Sequence, residues 1–223
     1  MNWMQRRRAA MMGATSGGTP LPIPAEYQEV EWIESSGNVA LQFANLYLPK
    51  EALTVTGIVE LTPSAAEMFL MADRDWNGVS FGLGVTSGNK FHVFSGISAA
   101  TDVLSEESHT ITFIAEITKP VQSGTSTTSG SVSLGGTIDG VPFSNSQSGS
   151  IRAFGRNAIA LLSNGAGQTY YVGKMIGRLK VFTDELYYDF VPCYRISDMA
   201  IGVYEAVNGT FVSNANLTKG ADV

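Results

Sequence analysis

Cysteine is nearly absent from this 223-residue chain, histidine is almost as scarce, and charge is thin. Cys193 is the only cysteine, so no intrachain disulfide can form and packing alone must hold the fold. With two histidines, His92 and His109, one cysteine and no CxxC, little is left for a zinc centre. Charged residues make up 15%, well below the ~25% of an average soluble domain. The formal net charge is −6, which argues against a basic face for nucleic acid. No apolar run approaches the ~18 residues needed to span a bilayer, so membrane insertion is not expected. The start, MNWMQRRRAAMMGATSGG, imitates a signal peptide, but its apolar patch is broken by Gly13 and too short for one.

Glycine, serine and threonine fill the space that charge leaves. From Tyr27 onward the dominant period is two, the mark of half-buried strands. LTVTGIVEL places Leu53, Val55, Val59 and Leu61 on one face; VSFGLGV does the same with Val79, Phe81, Leu83 and Val85; HTITFIAEI with Ile111, Phe113, Ala115 and Ile117. Weaker strands are expected over residues 90–96, 130–134, 158–162 and 170–182. SAAEMFLMA, residues 64–72, is the best helical candidate, although its capping is poor and a strand entry is the alternative. SGTSTTSGS, residues 123–131, is nine serine, threonine or glycine residues in a row and is expected to be an exposed loop. Many short strands with glycine and asparagine turns point to an all-β sandwich or barrel. A chain of this length accommodates it as one domain.

Residues 1–24 differ in kind. They carry Pro20, Pro22 and Pro24, which force extended backbone, and show no clear period. We read them as an extended N-terminal arm that anchors the chain to a partner, with Arg6, Arg7 and Arg8 as the residues to pair with acidic groups there. Residues 25–223 form the sandwich.

Near the C-terminus, DFVPCYRISDMAIGVYEAVNGTF reads as a hairpin series. Asp189–Ile196 is a strand, Ser197–Met199 a turn, and Ala200–Val207 a second strand. Asn208-Gly209 signals a type I′ turn. Pro192 cannot donate to a ladder, which suggests an edge strand or a bulge. A nucleophilic Cys193 would need an activating base. Flanked by Pro192 and Tyr194 in an apolar strand, it reads instead as a buried core residue. Arg195 and Asp198 are expected to pair across the turn.

The remaining polar clusters give one ligand candidate. DRDWNG (Asp73, Asp75, Trp76, Asn77) places an indole in a polar loop, a pattern suited to a saccharide. It also matches the first half of a calcium loop, D-x-D-x-N-G, which leaves a calcium ion open as a cofactor. A full EF-hand loop needs glutamate six residues after the glycine; Gly84 stands there, and otherwise no cofactor is implied. IRAFGRN, residues 151–157, is a second, weaker cluster. Glycoside hydrolysis requires two facing carboxylates. Glu29 and Glu31 are the nearest candidates, but no E-x-D-x-E run supports them, and no catalytic set is expected.

Three stretches carry a resemblance. AEYQEVEWIESSGNVALQF, residues 25–43, resembles the opening of concanavalin A-like, laminin-G-like domains common in phage and prophage proteins. IGRLKVF, residues 176–182, and YDFVPCYRISDMAIGVYEAVNGTFVSN, residues 188–214, are similar to the closing pattern of the same family. The resemblance implies a two-sheet antiparallel jelly-roll sandwich in a virion structural protein. Its partners would be other virion proteins in a homo-oligomeric or multicopy assembly, with a host cell-surface glycan as a further candidate. Its location would be the virion, as a decoration protein, head fibre or tail-associated adhesin. A non-catalytic bacterial carbohydrate-binding module is the alternative, and a glycan hydrolase a more distant one. Two departures stand out. Asn38-Val-Ala-Leu-Gln-Phe-Ala replaces the usual T-Q-Y-I-D-T-G, and Met199 replaces the glycine of an S-D-G turn, which implies a different turn type there.

Overall fold

The computed structural model describes residues 21–223 apart from 51, 65, 76–77, 119–127, 154, 156 and 164–169. Among these residues there is no helix. Seventeen strands follow one another: β1 (Tyr27–Glu29), β2 (Trp32–Ser36), β3 (Leu41–Tyr47), β4 (Leu53–Leu61), β5 (Met68–Asp75), β6 (Gly78–Val85), β7 (Phe91–Ser95), β8 (Ile97–Ala100), β9 (His109–Thr118), β10 (Thr128–Ile138), β11 (Val141–Ile151), β12 (Ala158–Leu161), β13 (Val172–Phe182), β14 (Leu186–Arg195), β15 (Ala200–Glu205), β16 (Thr210–Ser213) and β17 (Leu217–Lys219).

They build two antiparallel sheets. The larger runs β11-β10-β9-β4-β13-β14-β15-β16, with β1 added to β14, and β2 lying between β13 and β17; the smaller runs β3-β12-β5-β6-β7-β8. The alternating segments supply the core between them. Ile111, Phe113, Ala115 and Ile117 of β9 and Leu53, Val55, Val59 and Leu61 of β4 are buried on one side. Phe81, Leu83 and Val85 of β6, with Phe91 and Val93 of β7, are buried on the other. Rings from the two sheets meet: Phe91 against Phe113 at 5.3 Å and Phe43 against Phe190 at 5.2 Å between centroids. Such pairs contribute about 0.5–1.5 kcal/mol beyond their area. In β4 the alternation passes through Gly57, where a Cβ would lie 2.8 Å from Leu179. The gap in the pattern is the space that Leu179 and Phe113 occupy.

Four local expectations change. SAAEMFLMA is a strand entry: Met68 opens β5. The serine-threonine run is not all loop, because Thr128–Ser131 already pair with Ile151–Ser148 of β11; residues 123–127 lie outside the described set. The Asn208-Gly209 turn is a four-residue loop, residues 206–209, with Gly209 alone at φ +74°. The Glu205 carboxylate holds it, accepting from the N–H groups of Val207 and Asn208 and from the Asn208 amide. A two-residue type I′ turn forms elsewhere, at Asp139-Gly140, with φ of +50° and +82°. Finally, β14 is an interior strand. Pro192 is accommodated where β14 passes from pairing with β13, up to Phe190, to pairing with β1 from Cys193.

The loop between β14 and β15, residues 196–199, mirrors the one at 206–209. Its last residue, Met199, takes φ +59°. The turn therefore keeps the left-handed conformation glycine would supply, rather than changing type. Arg195 and Asp198 bracket it as a bidentate pair at 3.0 and 2.6 Å.

Candidate anchoring site and rim groove

β13 changes partner halfway along. Residues Val172–Ile176 lie between β2 and β4, while Leu179–Phe182 lie between β14 and β4. Gly177, at φ +59°, makes the break, and its N–H is taken by the Glu31 carbonyl at 2.8 Å. The next side chain, Arg178, enters the space between β1 and β14. Its guanidinium donates to both oxygens of Glu29, at 2.8 and 2.5 Å, to Asp189 Oδ2 at 2.8 Å, and to the carbonyl of Leu21 at 2.9 Å. Arg178 is 10% exposed and Asp189 1%. A planar fork with several donors suits two carboxylates and a carbonyl in a way a lysine would not.

Burial raises the Asp189 carboxyl above its ordinary value, and the Arg178 charge opposes that rise. Asp189 Oδ1 makes no hydrogen bond, so the guanidinium is the main compensation for this buried charge. The backbone N–H of Asp189 donates to Glu205, which links the hub to the loop at 206–209. Leu21 belongs to the arm, so the last described residues of the arm are tied to the sandwich at this hub. Glu29 and Arg178 lie inside two of the stretches that carry the family resemblance, and the structure brings them together as an ion pair. Both oxygens of Glu29 are thereby engaged by Arg178, whereas Glu31 is exposed.

A second feature lies further up the same strand. Gly37, Asn38, Ser64, Glu67, Tyr170 and Val172 line an open groove of about 410 Å³ at the rim of the sandwich. The side chains of Asn38, Ser64 and Glu67 make no hydrogen bond among the described residues. Asn38 holds φ +56°, a conformation asparagine tolerates better than most residues. The departure from the family opening thus falls at the groove wall. Val172 and Arg178 are six residues apart on β13, which at ~3.3 Å per residue separates groove and hub by roughly 20 Å.

The other sequence candidates scatter. Trp76 and Asn77, and with them Arg6, Arg7 and Arg8, lie outside the described residues. Asp75 closes β5. Asp73 is 0% exposed, and its Oδ2 accepts the Gly155 N–H. That places it inside the sandwich, joined to the IRAFGRN segment, and not on an open face toward a saccharide or an ion. Cys193 is buried, and burial pushes its thiol up to about 12, the opposite of an activated nucleophile. Neither hub nor groove was anticipated from the residues alone. The signals available for the hub are the acidic Glu29 and the Gly-Arg dipeptide inside β13.

No protein-family model matches the chain, and no curated protein matches it. Among solved structures, the mouse laminin α1 chain, domains LG4-5, is similar at 16% identity and a TM-score of 0.45. The match covers 71% of this chain and 44% of that one, so the chain spans less than half of the structure it matches.

Proposed function

We propose that this chain is a structural component of a phage virion, in which the N-terminal arm anchors a lectin-like sandwich to the particle. The observation that carries this is the hub. An arm that only trailed in solvent would need no fixed exit, whereas here an arginine spends one of its donors on the arm's Leu21 carbonyl. The stretches that resemble phage laminin-G-like proteins, residues 25–43, 176–182 and 188–214, contain the residues that build that exit. The test removes residues 1–24 and follows the protein into purified particles. Unchanged far-UV circular dichroism with loss from the particle is the expected result; incorporation equal to that of the full chain overturns the reading.

The groove favours a second reading, a carbohydrate-binding module. Amide, hydroxyl and carboxylate groups of Asn38, Ser64 and Glu67 around the Tyr170 ring suit a neutral saccharide. Binding on a glycan array that falls on Glu67→Gln and on Tyr170→Ala supports it; no binding by the full chain removes it.

A further inference from the structure

Away from hub and groove, β9 opens with His109, and the exposed loop before it carries Ser105. The Asp139-Gly140 turn docks at this point. Ser105 Oγ lies 3.0 Å from His109 Nε2, and His109 Nδ1 lies 2.7 Å from Asp139 Oδ2. The second carboxylate oxygen, Asp139 Oδ1, accepts the Thr110 N–H at 2.8 Å, while the Asp139 N–H donates to the Thr110 carbonyl at 2.9 Å. The aspartate is therefore held through its backbone and its side chain at once. A carboxylate at Nδ1 keeps the proton on that nitrogen and leaves the Nε2 lone pair facing the serine hydroxyl. Nucleophile, base and orienting group thus stand in sequence at hydrogen-bond distances.

We propose that Ser105, His109 and Asp139 form a nucleophilic triad that hydrolyses esters with a neutral or cationic acyl group at the protein surface. Ser105 Oγ attacks the ester carbonyl carbon, and its proton passes to His109 Nε2. The carbon–oxygen bond to the alcohol breaks, and the alcohol leaves with that proton. Water then attacks the acyl-serine, giving one proton to His109 Nε2. The carboxylic acid departs, and the proton returns to Ser105 Oγ. One ester and one water become one acid and one alcohol. The His109 side chain is 13% exposed, so the base is shielded while Ser105 remains open to a substrate. Glu106 and Glu107 follow the nucleophile directly and are exposed, as is Asp102; this negative charge repels anionic acyl groups. The inference departs from the expectation that the chain carries no catalytic set.

The test uses the full chain with p-nitrophenyl acetate and, separately, a fluorophosphonate probe, each followed by peptide mass spectrometry. The expected results are a covalent adduct on Ser105 and nitrophenol release that falls at least ~100-fold in Ser105→Ala and in His109→Gln. An imidazole alone can attack an activated ester. Full activity in Ser105→Ala with loss in His109→Gln would therefore overturn the serine assignment. So would a probe adduct spread over other hydroxyls, or none at Ser105. Ser105 is exposed, so Ser105→Ala leaves the fold intact, which a thermal melt verifies. Asp139→Asn should lower the rate and alter its pH profile, an effect a purely structural aspartate would not produce.

Discussion

Replacing Arg178 with methionine isolates the hub. Methionine keeps an unbranched apolar stem and removes only the charge and its donors. In the wild type the guanidinium faces two carboxylates, one of them Asp189, which is 1% exposed. At an effective dielectric constant of ~20, a unit pair about 4 Å apart attracts by roughly 4 kcal/mol. Part of that only offsets the cost of burying the charges. Once the arginine is gone, the cost stays and the offset is lost, and such losses run about 3–5 kcal/mol. That is a large share of the ~5–15 kcal/mol that holds a typical domain. At roughly 2–4 °C per kcal/mol for a chain of this size, the melting temperature should fall by about 6–20 °C.

The pH dependence gives a sharper test. The Asp189 carboxyl already stands above 3.8 because of burial, with Arg178 pulling it back. Removing Arg178 raises it further. A raised folded value means that the proton binds more tightly in the folded state. The stability tied to this group is then full below 3.8 and lost as pH rises through the folded value. The deficit of Arg178→Met should therefore be smallest in acid and grow toward neutrality. Urea denaturation followed by circular dichroism at pH 5 and pH 8 measures it. A deficit under ~1 kcal/mol at pH 8, or one equal at both pH values, would refute the argument. Adding Asp189→Asn to Arg178→Met should recover part of the loss, because the stranded charge is then gone.

Two further outcomes follow from local geometry. Met199→Gly should stabilise the protein by about 0.5–1 kcal/mol, since relief of the left-handed strain (about 1–2 kcal/mol) outweighs glycine's extra chain entropy. Met199 is 57% exposed and forfeits little packing, so a lower denaturation midpoint in the variant would contradict this. Cys193 should resist iodoacetamide at pH 8 in the folded state and react only as urea opens the core. Labelling at the rate of a free thiol in native buffer would show that β14 is not the interior strand described.

Much of the sandwich was legible because its core strands repeat every two residues. The HTITFIAEI pattern alone predicts which side chains of β9 are buried. Strand β11, VPFSNSQSGSI, was not legible. Almost all of it is exposed, so no apolar face marks it, and only its register with β10 makes it a strand. At Met199 the sequence reports a missing glycine but not whether the backbone relaxes in response, and it stays left-handed. The hub was half legible. Glu29 drew notice as an acid, but its partner lies 149 residues away and meets it only because β13 switches partners at Gly177. In the sequence His109 reads only as one of too few ligands for zinc. Ser105 lies four residues upstream, but Asp139 reaches His109 through the β9–β10 pairing, a register that no spacing rule reveals.

The place where the arm joins the sandwich also governs how the molecule bears load. Tyr27–Glu29 pair with Arg195–Cys193 of β14, and Arg178 grips Glu29 and Leu21 together. Tension drawn along β1 would strain these ladder bonds and the ion pair in parallel, as in shear, instead of unzipping them one by one. A junction built this way would yield abruptly and at a high force.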